Sequence, residues 1–257
     1  NDGIDIYWAR QQLSERLKEA EESIPSGLAK ISLAPVSSGL GEIFQYRLAV
    51  KKGHEKEFNQ MELRTIQDWV VRREMLGTAG VADINSYGGF VRQYEIAVNP
   101  ERLKGMKLSL TDIFIALEKN NENTGSAYID KNPNAYFIRG IGLVKSLEDI
   151  EKIVVKTTDS GAPVLIRDIA TVQFGSATRY GAFVVDTAEA VGGVVMMLKG
   201  ENAHQVIDNV EKRIKSIQSS LPEEVKIEPF LNRSDLVGRA IGTVSRNLIE
   251  GALIVVF

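Results

Sequence analysis

The C-terminal segment, residues 235–257, restricts the possible folds more than any other part of this sequence. It begins with the spacing of an amphipathic helix and passes into an apolar stretch, residues 251–257. A helix that spans a bilayer needs about 20 apolar residues, because the hydrocarbon core is about 30 Å thick. We expect residues 232–257 to be the start of a membrane helix that continues beyond Phe257. Because the chain starts at Asn1 and not at Met, we also expect a water-exposed piece of a larger membrane protein.

Composition narrows the classes of function. The chain is 44% hydrophobic and 25% charged, which is ordinary for a globular protein. Its formal net charge of −3 gives no electrostatic footprint for nucleic acid. The absence of cysteine excludes disulfides, zinc–thiolate sites and thiol nucleophiles. Only His54 and His204 could supply imidazole ligands.

Helical and strand patterns alternate at short intervals along the chain. The predicted helices cover residues 6–20, 57–75, 109–121, 146–152 and 203–219. The predicted strands cover residues 28–33, 42–50, 81–86, 92–98, 183–187, 194–199 and 225–229. Asp5 is the expected N-cap of the first helix, and Ser109 with Asp112 forms an expected capping box. Trp69 is among the apolar positions that mark the second helix.

Two connections are also predicted. Strands 81–86 and 92–98 are expected to form a hairpin through Tyr87-Gly88-Gly89. Residues 125–142 have an irregular pattern, within which 130–134 indicate the tip of an extended arm.

A weak internal repeat supports one fold class. In residues 17–31 and again in 214–227, an amphipathic helix ends at an apolar–proline pair and a strand starts three residues later. Helices that cross between short strands build βαβ units. The predicted fold is therefore α+β, with repeated ferredoxin-like subdomains that each carry helices on one face of a sheet.

No catalytic motif is visible. GxSxG, HExxH, a P-loop and GxGxxG after a strand are all missing, so an enzyme is the least favoured interpretation. His204 is interpreted as a surface residue at a helix start. Met196 and Met197 are assigned to the core, because adjacent strand residues point to opposite faces and cannot chelate one ion. Glu42 stands out, because it opens a strand directly after a flexible glycine-containing joint.

Seven stretches, taken in order, resemble one family. They are GLGEIFQY (39–46), ELRTIQDWVVR (62–72), GVADINSYGG (80–89), SLEDIE (146–151), VLIRDIA (164–170), MMLKGEN (196–202) and RNLIEGA (246–252). Together they resemble the heavy-metal branch of the resistance-nodulation-division (RND) efflux pumps, over essentially the whole chain. The first two stretches favour the metal branch over the multidrug branch.

The resemblance implies a domain layout. Residues 1–36 would be the tail of a first porter subdomain. Residues 37–124 and 179–231 would form the two parts of a second porter subdomain, interrupted by a docking subdomain at 125–178. Residues 232–257 would be the truncated start of the second transmembrane helix.

It also implies a function and partners. Such a protein would be a secondary active transporter, a cation/proton antiporter, and not an enzyme. It would lie in the inner membrane of a Gram-negative bacterium, with this segment in the periplasm. The implied partners are two further copies in a homotrimer, a periplasmic adaptor and an outer-membrane channel. A metal cation would be the cargo, and no cofactor is implied.

Site residues follow from the same resemblance. Glu42 and Asp83 would be metal ligands, and Asn85 and Tyr87 would line the transport cleft. Carboxylates suit a hard or borderline divalent ion such as zinc, cobalt or nickel, while copper or silver bound by methionines elsewhere stays possible.

The resemblance also gives the predicted arm a role between subunits. Its residues Asp130, Asn132, Pro133 and Tyr136 would reach into a neighbouring copy. Two alternatives to a metal pump stay open at this point. One is a multidrug pump fragment of the same superfamily, and the other is a soluble α+β ligand-binding domain.

Overall fold

A computed structural model gives the fold of residues 3–24, 31–158 and 161–256. Its helices are α1 (Ile6–Glu22), α2 (Gln60–Ile66), α3 (Arg72–Met75), α4 (Pro100–Gly105), α5 (Leu110–Lys119), α6 (Leu147–Glu151), α7 (Ile166–Ile169), α8 (Ala203–Gln218) and α9 (Arg233–Val256). Its strands are β1 (Glu42–Val50), β2 (Val81–Gly88), β3 (Arg92–Val98), β4 (Thr124–Lys131), β5 (Asn134–Gly140), β6 (Val154–Thr157), β7 (Pro163–Leu165), β8 (Ala170–Ser176), β9 (Val184–Val185), β10 (Ala188–Glu189), β11 (Val191–Met197) and β12 (Val225–Asn232). A π-helical turn, Gln67–Val71, joins α2 to α3.

Contacts divide the chain into two compact units. Unit 1 contains the described residues of Asn1–Glu57, Ile66–Tyr87 and Ala190–Phe257. Unit 2 contains Phe58–Thr65 and the described residues of Gly88–Glu189. The subdomain boundaries expected at residues 124 and 178 come from the family resemblance, and they stay predictions.

Unit 1 is built on a four-stranded sheet in the order β12-β1-β11-β2. β1 runs antiparallel to both β11 and β12. The α2–α3 segment leads from β1 to β2, and α8 leads from β11 to β12. Two βαβ connections interleaved in one sheet are the arrangement expected of a single ferredoxin-like subdomain. Whether residues 1–36 belong to a second one stays a prediction.

Two helical segments of this unit, α8 and α3 with the π turn before it, pack with the sheet. α8 contacts β1, β12 and α3, and the π turn contacts β11. The side chains between them are fully buried, among them Phe44, Tyr46, Val195, Val206 and Val210. The core of unit 1 therefore lies between these helices and the central strands.

The helical segment after β1 buries every fourth side chain from Gln67 to Met75. Gln67, Val71 and Met75 are all fully buried. On a regular α-helix, positions four apart drift by about 40° around the axis at each step. The π turn places more residues in one turn, so it reduces this drift and keeps the three side chains on one face. Trp69, which the sequence assigned to the apolar positions, is instead 61% exposed.

Unit 2 is built from two-stranded antiparallel ladders and short helices. β3 pairs with β8, β4 with β5, β6 with β7 and β9 with β10. Its core contains Leu108, Ile113, Ala116, Ile150, Ile153, Val164, Ile166, Ile169, Ala170 and Val172. Ser109 and Asp112 form the predicted capping box at α5, and Ser146 and Asp149 form another at α6. These local signals are confirmed.

The predicted hairpin between β2 and β3 is wrong. Both strands form, but β2 neighbours β11, while β3 pairs with β8 along its whole length. Gly88 and Gly89 do adopt the positive φ angles of 73° and 66° that tight turns use. The turn signal was local, whereas the hydrogen-bonding partner of each strand lies far away along the chain.

Smaller differences also appear. Residues 31–35 form no strand, and residues 25–30, which include the rest of the predicted strand 28–33, lie outside the described part of the chain. The region expected to be irregular is mostly a hairpin of β4 and β5 with one register shift between Gly125 and Ala127. Asn132 and Pro133 stand at its turn, which confirms the predicted tip. The strand expected at 183–187 is reduced to β9, Val184–Val185.

The C-terminal segment is helical, as predicted, because α9 covers Arg233–Val256. Among the described helices, none has both the length and the apolar character that crossing a bilayer requires. That α9 starts a membrane span stays a prediction.

Candidate functional site

Glu42 stands at one end of the sheet of unit 1, where a tight turn positions it. Gly41 N donates to Ser38 O at 2.8 Å, and Met197 N donates to Gly41 O at 2.7 Å. A Cβ atom at Gly41 would clash with the Ser37 hydroxyl and lie 2.9 Å from Ser38 O. Only glycine allows so close an approach. The turn therefore ties the start of β1 to the end of β11.

A β-bulge separates Glu42 from the buried part of β1. Glu42 pairs with Met196, but Phe44 pairs with Val195, so one extra residue lies between these pairs. Ile43 and Phe44 are fully buried, whereas Glu42 is exposed. Bulges often re-aim a side chain next to a functional site. Here the bulge leaves a carboxylate accessible beside a methionine.

Two residues of β2 join this pair. Asn85 Nδ2 donates to Met196 Sδ at 3.1 Å. Burial, and then the negative charge of Glu42, raise the pKa of Tyr87 to about 12. The structure therefore brings together three of the four predicted cleft residues, Glu42, Asn85 and Tyr87, and adds Met196. We call these four residues the Glu42 cluster.

The core side of the same strands holds a buried polar group. Gln67 Nε2 donates to Tyr46 Oη at 2.9 Å and to Ser86 Oγ at 3.2 Å. Gly193 leaves room for this contact, because a Cβ atom there would lie 2.5 Å from Tyr46 Oη. Burial raises the pKa of Tyr46 above its ordinary value, and the hydrogen bond from Gln67 offsets only part of that effect. Tyr46 is thus a neutral hydrogen-bonding group that fixes the helix on the sheet.

Asp83, the second predicted ligand, has a different environment. Its Oδ1 accepts from Arg72 Nη2 at 3.0 Å and from Ile84 N at 2.8 Å. Arg72 Nε also donates to Ile84 O at 2.7 Å. Because β2 is an edge strand, these bonds satisfy backbone groups that would otherwise be free to pair with another strand. A metal ion at Asp83 would have to compete with Arg72.

The Glu42 cluster can offer a cation a carboxylate, an amide, a phenol and a thioether. The oxygen ligands suit hard and borderline ions, and the thioether suits soft ions. Over the described residues, no group of three or more His, Asp or Glu side chains lies close enough together to hold a metal ion. The cluster would therefore supply only part of a coordination shell.

Met196 is a member of this cluster that the sequence did not predict. The sequence pattern placed it in the core, whereas the residue is half-buried beside Asn85 and opposite Glu42. The signal that could have found it is the antiparallel pairing of strand 42–50 with strand 194–199, together with the bulge. Neither of these is visible in residue spacing alone.

The predicted arm is the β4–β5 hairpin of unit 2. All four of its predicted residues lie in the hairpin or at its turn, namely Asp130, Asn132, Pro133 and Tyr136. Phe137 is 84% exposed, and its ring centroid lies 6.5 Å from that of Tyr128, also exposed. A two-stranded hairpin is only marginally stable by itself in water. Exposed aromatic residues on it therefore favour a surface that another chain completes.

Neither histidine belongs to the Glu42 cluster. His54 Nδ1 lies 3.1 Å from Glu57 Oε2 within one turn. His204 is exposed near the start of α8, as predicted, with its Nδ1 3.1 Å from Ser234 Oγ.

Comparison with known proteins gives consistent matches along the whole chain. The sequence model of the AcrB/AcrD/AcrF family matches residues 1–257. The cobalt-zinc-cadmium resistance protein CzcA of Cupriavidus metallidurans is 42% identical over 259 residues, which cover 99% of this chain and 24% of that protein. The cation efflux system protein CusA of Escherichia coli (strain K12) is 35% identical over 255 residues, with 99% and 24% covered.

A solved structure agrees with these sequence matches. The X-ray crystal structure of a heavy metal efflux pump (crystal form I) superposes with a TM-score of 0.83 at 31% identity, over 99% of this chain and 25% of that one. The chain thus spans about a quarter of the length of the relatives it matches.

Proposed function

Since the match over residues 1–257 shows that the chain belongs to the AcrB/AcrD/AcrF family, we propose that it is the periplasmic porter and docking portion of a proton-driven heavy-metal efflux pump. One observation carries this proposal. Relatives that match 99% of the chain are named for cobalt, zinc and cadmium resistance or for cation efflux. Transport would be a property of the whole pump, to which this chain contributes one part of the path.

We propose that the cargo is a divalent cation such as zinc, cobalt or cadmium. Glu42 is the ligand on which this rests, because it is exposed and no ion-pair partner faces it among the described residues. Asn85 and Tyr87 would line the same part of the path, and Met196 would add a softer contact. Asp83 is the weaker candidate, because Arg72 already occupies its carboxylate.

We further propose the assembly that goes with such a pump. The chain would act in a homotrimer in the inner membrane of a Gram-negative bacterium, with its described units in the periplasm. A periplasmic adaptor and an outer-membrane channel would complete the export path. The exposed aromatic residues of the β4–β5 hairpin support a contact between subunits in unit 2.

Resistance of a metal-sensitive bacterium tests this function. The complete protein, expressed with its adaptor and channel, should raise tolerance to zinc, cobalt or cadmium. Glu42→Gln should reduce that tolerance at unchanged expression and trimer content, because it removes the negative charge from the cluster. Glu223→Gln, at an exposed position of the same unit, is the matched control.

Two results would count against the proposal. Protection against organic drugs without protection against metals would favour a multidrug pump. If the Glu42→Gln variant kept full metal tolerance, Glu42 would not be part of the transport path. The proposal that the chain belongs to a metal pump would be unaffected.

A further inference from the structure

One contact in the Glu42 cluster joins an amide to a thioether. Asn85 Nδ2 donates to Met196 Sδ at 3.1 Å. The two residues lie on β2 and β11, which are neighbours in the sheet of unit 1. The contact is therefore made within unit 1 alone.

The chemistry of the two groups fixes the orientation of this amide. A thioether sulfur carries no hydrogen and can only accept a hydrogen bond, whereas an amide has a donating nitrogen and an accepting oxygen. These two amide atoms are nearly identical in size, so a partner that can only accept decides which of them faces it. Nδ2 of Asn85 must therefore face Met196, and Oδ1 is directed away from the sulfur.

This hydrogen bond changes what the cluster offers to an ion. Thioether sulfur suits soft monovalent ions such as Cu⁺ and Ag⁺, whereas carboxylate and amide oxygens suit harder divalent ions. An N–H donor draws electron density from the sulfur and occupies one side of it, which weakens the sulfur as a metal ligand. Glu42, the pairing partner of Met196 across β1 and β11, does not share this hydrogen bond.

We propose that Asn85 is a specificity-determining residue, which keeps Met196 from capturing soft monovalent ions. This inference rests on the proposed function, in which a divalent cation passes the Glu42 cluster. A protein can discriminate by weakening the contacts that a competing ligand needs, as well as by strengthening those of the correct ligand. Met196 then stays a weak contact for a passing divalent ion and does not trap a soft one.

Labelling of methionine in the complete purified protein tests this role of Asn85. A methionine-selective oxaziridine reacts with a free thioether, and bound Ag⁺ protects that sulfur. Peptide mass spectrometry, in nitrate buffer that keeps silver dissolved, gives the silver concentration that halves the labelling of Met196, which we call the protection midpoint. We expect Asn85→Ala to lower this midpoint by about tenfold, the size of effect that a residue hydrogen-bonded to a metal ligand usually has on metal affinity.

A second variant separates the hydrogen bond from the space that the side chain fills. Asn85→Leu removes the N–H donor but keeps a branched side chain of similar shape. It should also lower the protection midpoint of Met196. A shift in Asn85→Ala without a shift in Asn85→Leu would overturn the proposal, because space and not the hydrogen bond would then keep silver away.

Two controls exclude a general loosening of the sheet. Met197 points to the opposite face of the same strand, so its own midpoint should stay constant in every variant. Asn209→Ala removes an amide of α8 whose Nδ2 donates to Ala79 O at 3.4 Å, and it should leave the midpoint of Met196 unchanged. An equal shift at both methionines would overturn the proposal.

Two further results would also overturn it. One is an unchanged midpoint of Met196 in both Asn85 variants. The other is a Met196 that the oxaziridine does not label in any of the proteins, because an ion could not reach it either. These measurements need no transport, whereas the tolerance of cells to zinc, cobalt or cadmium does. Failure of this inference can therefore be distinguished from failure of the proposed function.

Discussion

The sheet of unit 1 and the β4–β5 hairpin of unit 2 differ in what they offer to another chain. In unit 1, Asp83 and Arg72 bind both backbone groups of Ile84 on the edge strand β2. On the other edge, Gln218 Nε2 donates to Val225 O at 2.7 Å, and its Oε1 accepts from Ile227 N at 3.0 Å. Side chains that occupy edge groups prevent pairing with a foreign strand. Side chains therefore occupy backbone groups on both edges of the sheet in unit 1.

The β4–β5 hairpin of unit 2 differs from this sheet in what it exposes. It forms its own two-stranded sheet, and its aromatic side chains Tyr128, Tyr136 and Phe137 are exposed. We therefore expect substitutions in the two regions to affect different properties. Substitutions in unit 1 should lower the free energy of unfolding, whereas substitutions in the hairpin should change association and leave folding nearly unaltered.

The largest expected effect is at Gly193 in unit 1. In Gly193→Ala the new Cβ would lie 2.5 Å from Tyr46 Oη and 2.8 Å from Gln67 Nε2, both in the buried polar group. We expect the free energy of unfolding to fall by about 3 kcal/mol, because overpacking forces side chains and backbone to shift. Denaturant unfolding of the purified protein measures this.

Gly181→Ala is the matched control, because a Cβ atom there meets nothing within 4 Å. It should change the free energy of unfolding by no more than about 0.5 kcal/mol. Equal, small effects at both glycines would mean that the Tyr46–Gln67 contact is not closely packed. The contrast between the rigid core of unit 1 and the open hairpin would then be weaker.

Local signals explain what the sequence predicted correctly. The Ser109–Asp112 capping box, the N-cap Asp5 and the strand Glu42–Val50 each depend on a few neighbouring residues, and all are confirmed. The resemblance to the heavy-metal branch of the RND pumps is also confirmed, by relatives that match the whole chain.

Long-range pairing explains what the sequence could not predict. Met196 enters the Glu42 cluster only through the register of β1 against β11 and the bulge beside Glu42. The buried face of the helix after β1 depends on the π turn, which exposes Trp69 and buries Gln67. Neither feature follows from a periodicity that assumes a regular helix and unbroken strand register.

An intermediate effect, on association and not on stability, is expected in the hairpin. Phe137→Ser removes the most exposed of its aromatic side chains. We expect a change in unfolding free energy within about 0.5 kcal/mol, because little buried surface is lost. If the hairpin is an intersubunit arm, the trimer fraction of the complete protein in detergent should fall, as size-exclusion chromatography with light scattering would show.

Tyr180→Ser is the control for this comparison, because Tyr180 is almost fully exposed in unit 2 but lies outside the hairpin. It should leave the trimer fraction unchanged. If the trimer persists both in Phe137→Ser and after deletion of residues 130–136, the hairpin does not contribute to assembly. A loss of folding in Phe137→Ser would instead contradict the view that this exposed side chain contributes little to stability.

The smallest expected effect concerns two helix caps of different chemistry, one with a carboxylate at α5 of unit 2 and one with an amide at α8 of unit 1. In unit 2, Asp112 Oδ2 accepts from Ser109 N and Oγ at 2.7 Å each, which lowers the pKa of Asp112. A carboxyl with a lower pKa in the folded state stabilises the fold above its unfolded pKa, near 4. That contribution is lost as the pH falls through the folded value. The melting-temperature deficit of Asp112→Asn should therefore be largest near pH 7 and shrink towards pH 2.

Unit 1 provides the control for this pH effect, because an amide caps its helix α8. Asn202 Oδ1 accepts from His204 N at 3.0 Å and from Gln205 N at 3.2 Å, and an amide does not titrate in this range. Asn202→Ala should therefore lower the melting temperature by a similar amount at pH 7 and at pH 3. A deficit of Asp112→Asn that stays constant with pH would mean that its carboxylate gains nothing from the cap. The two caps would then differ in chemistry but not in their response to acid.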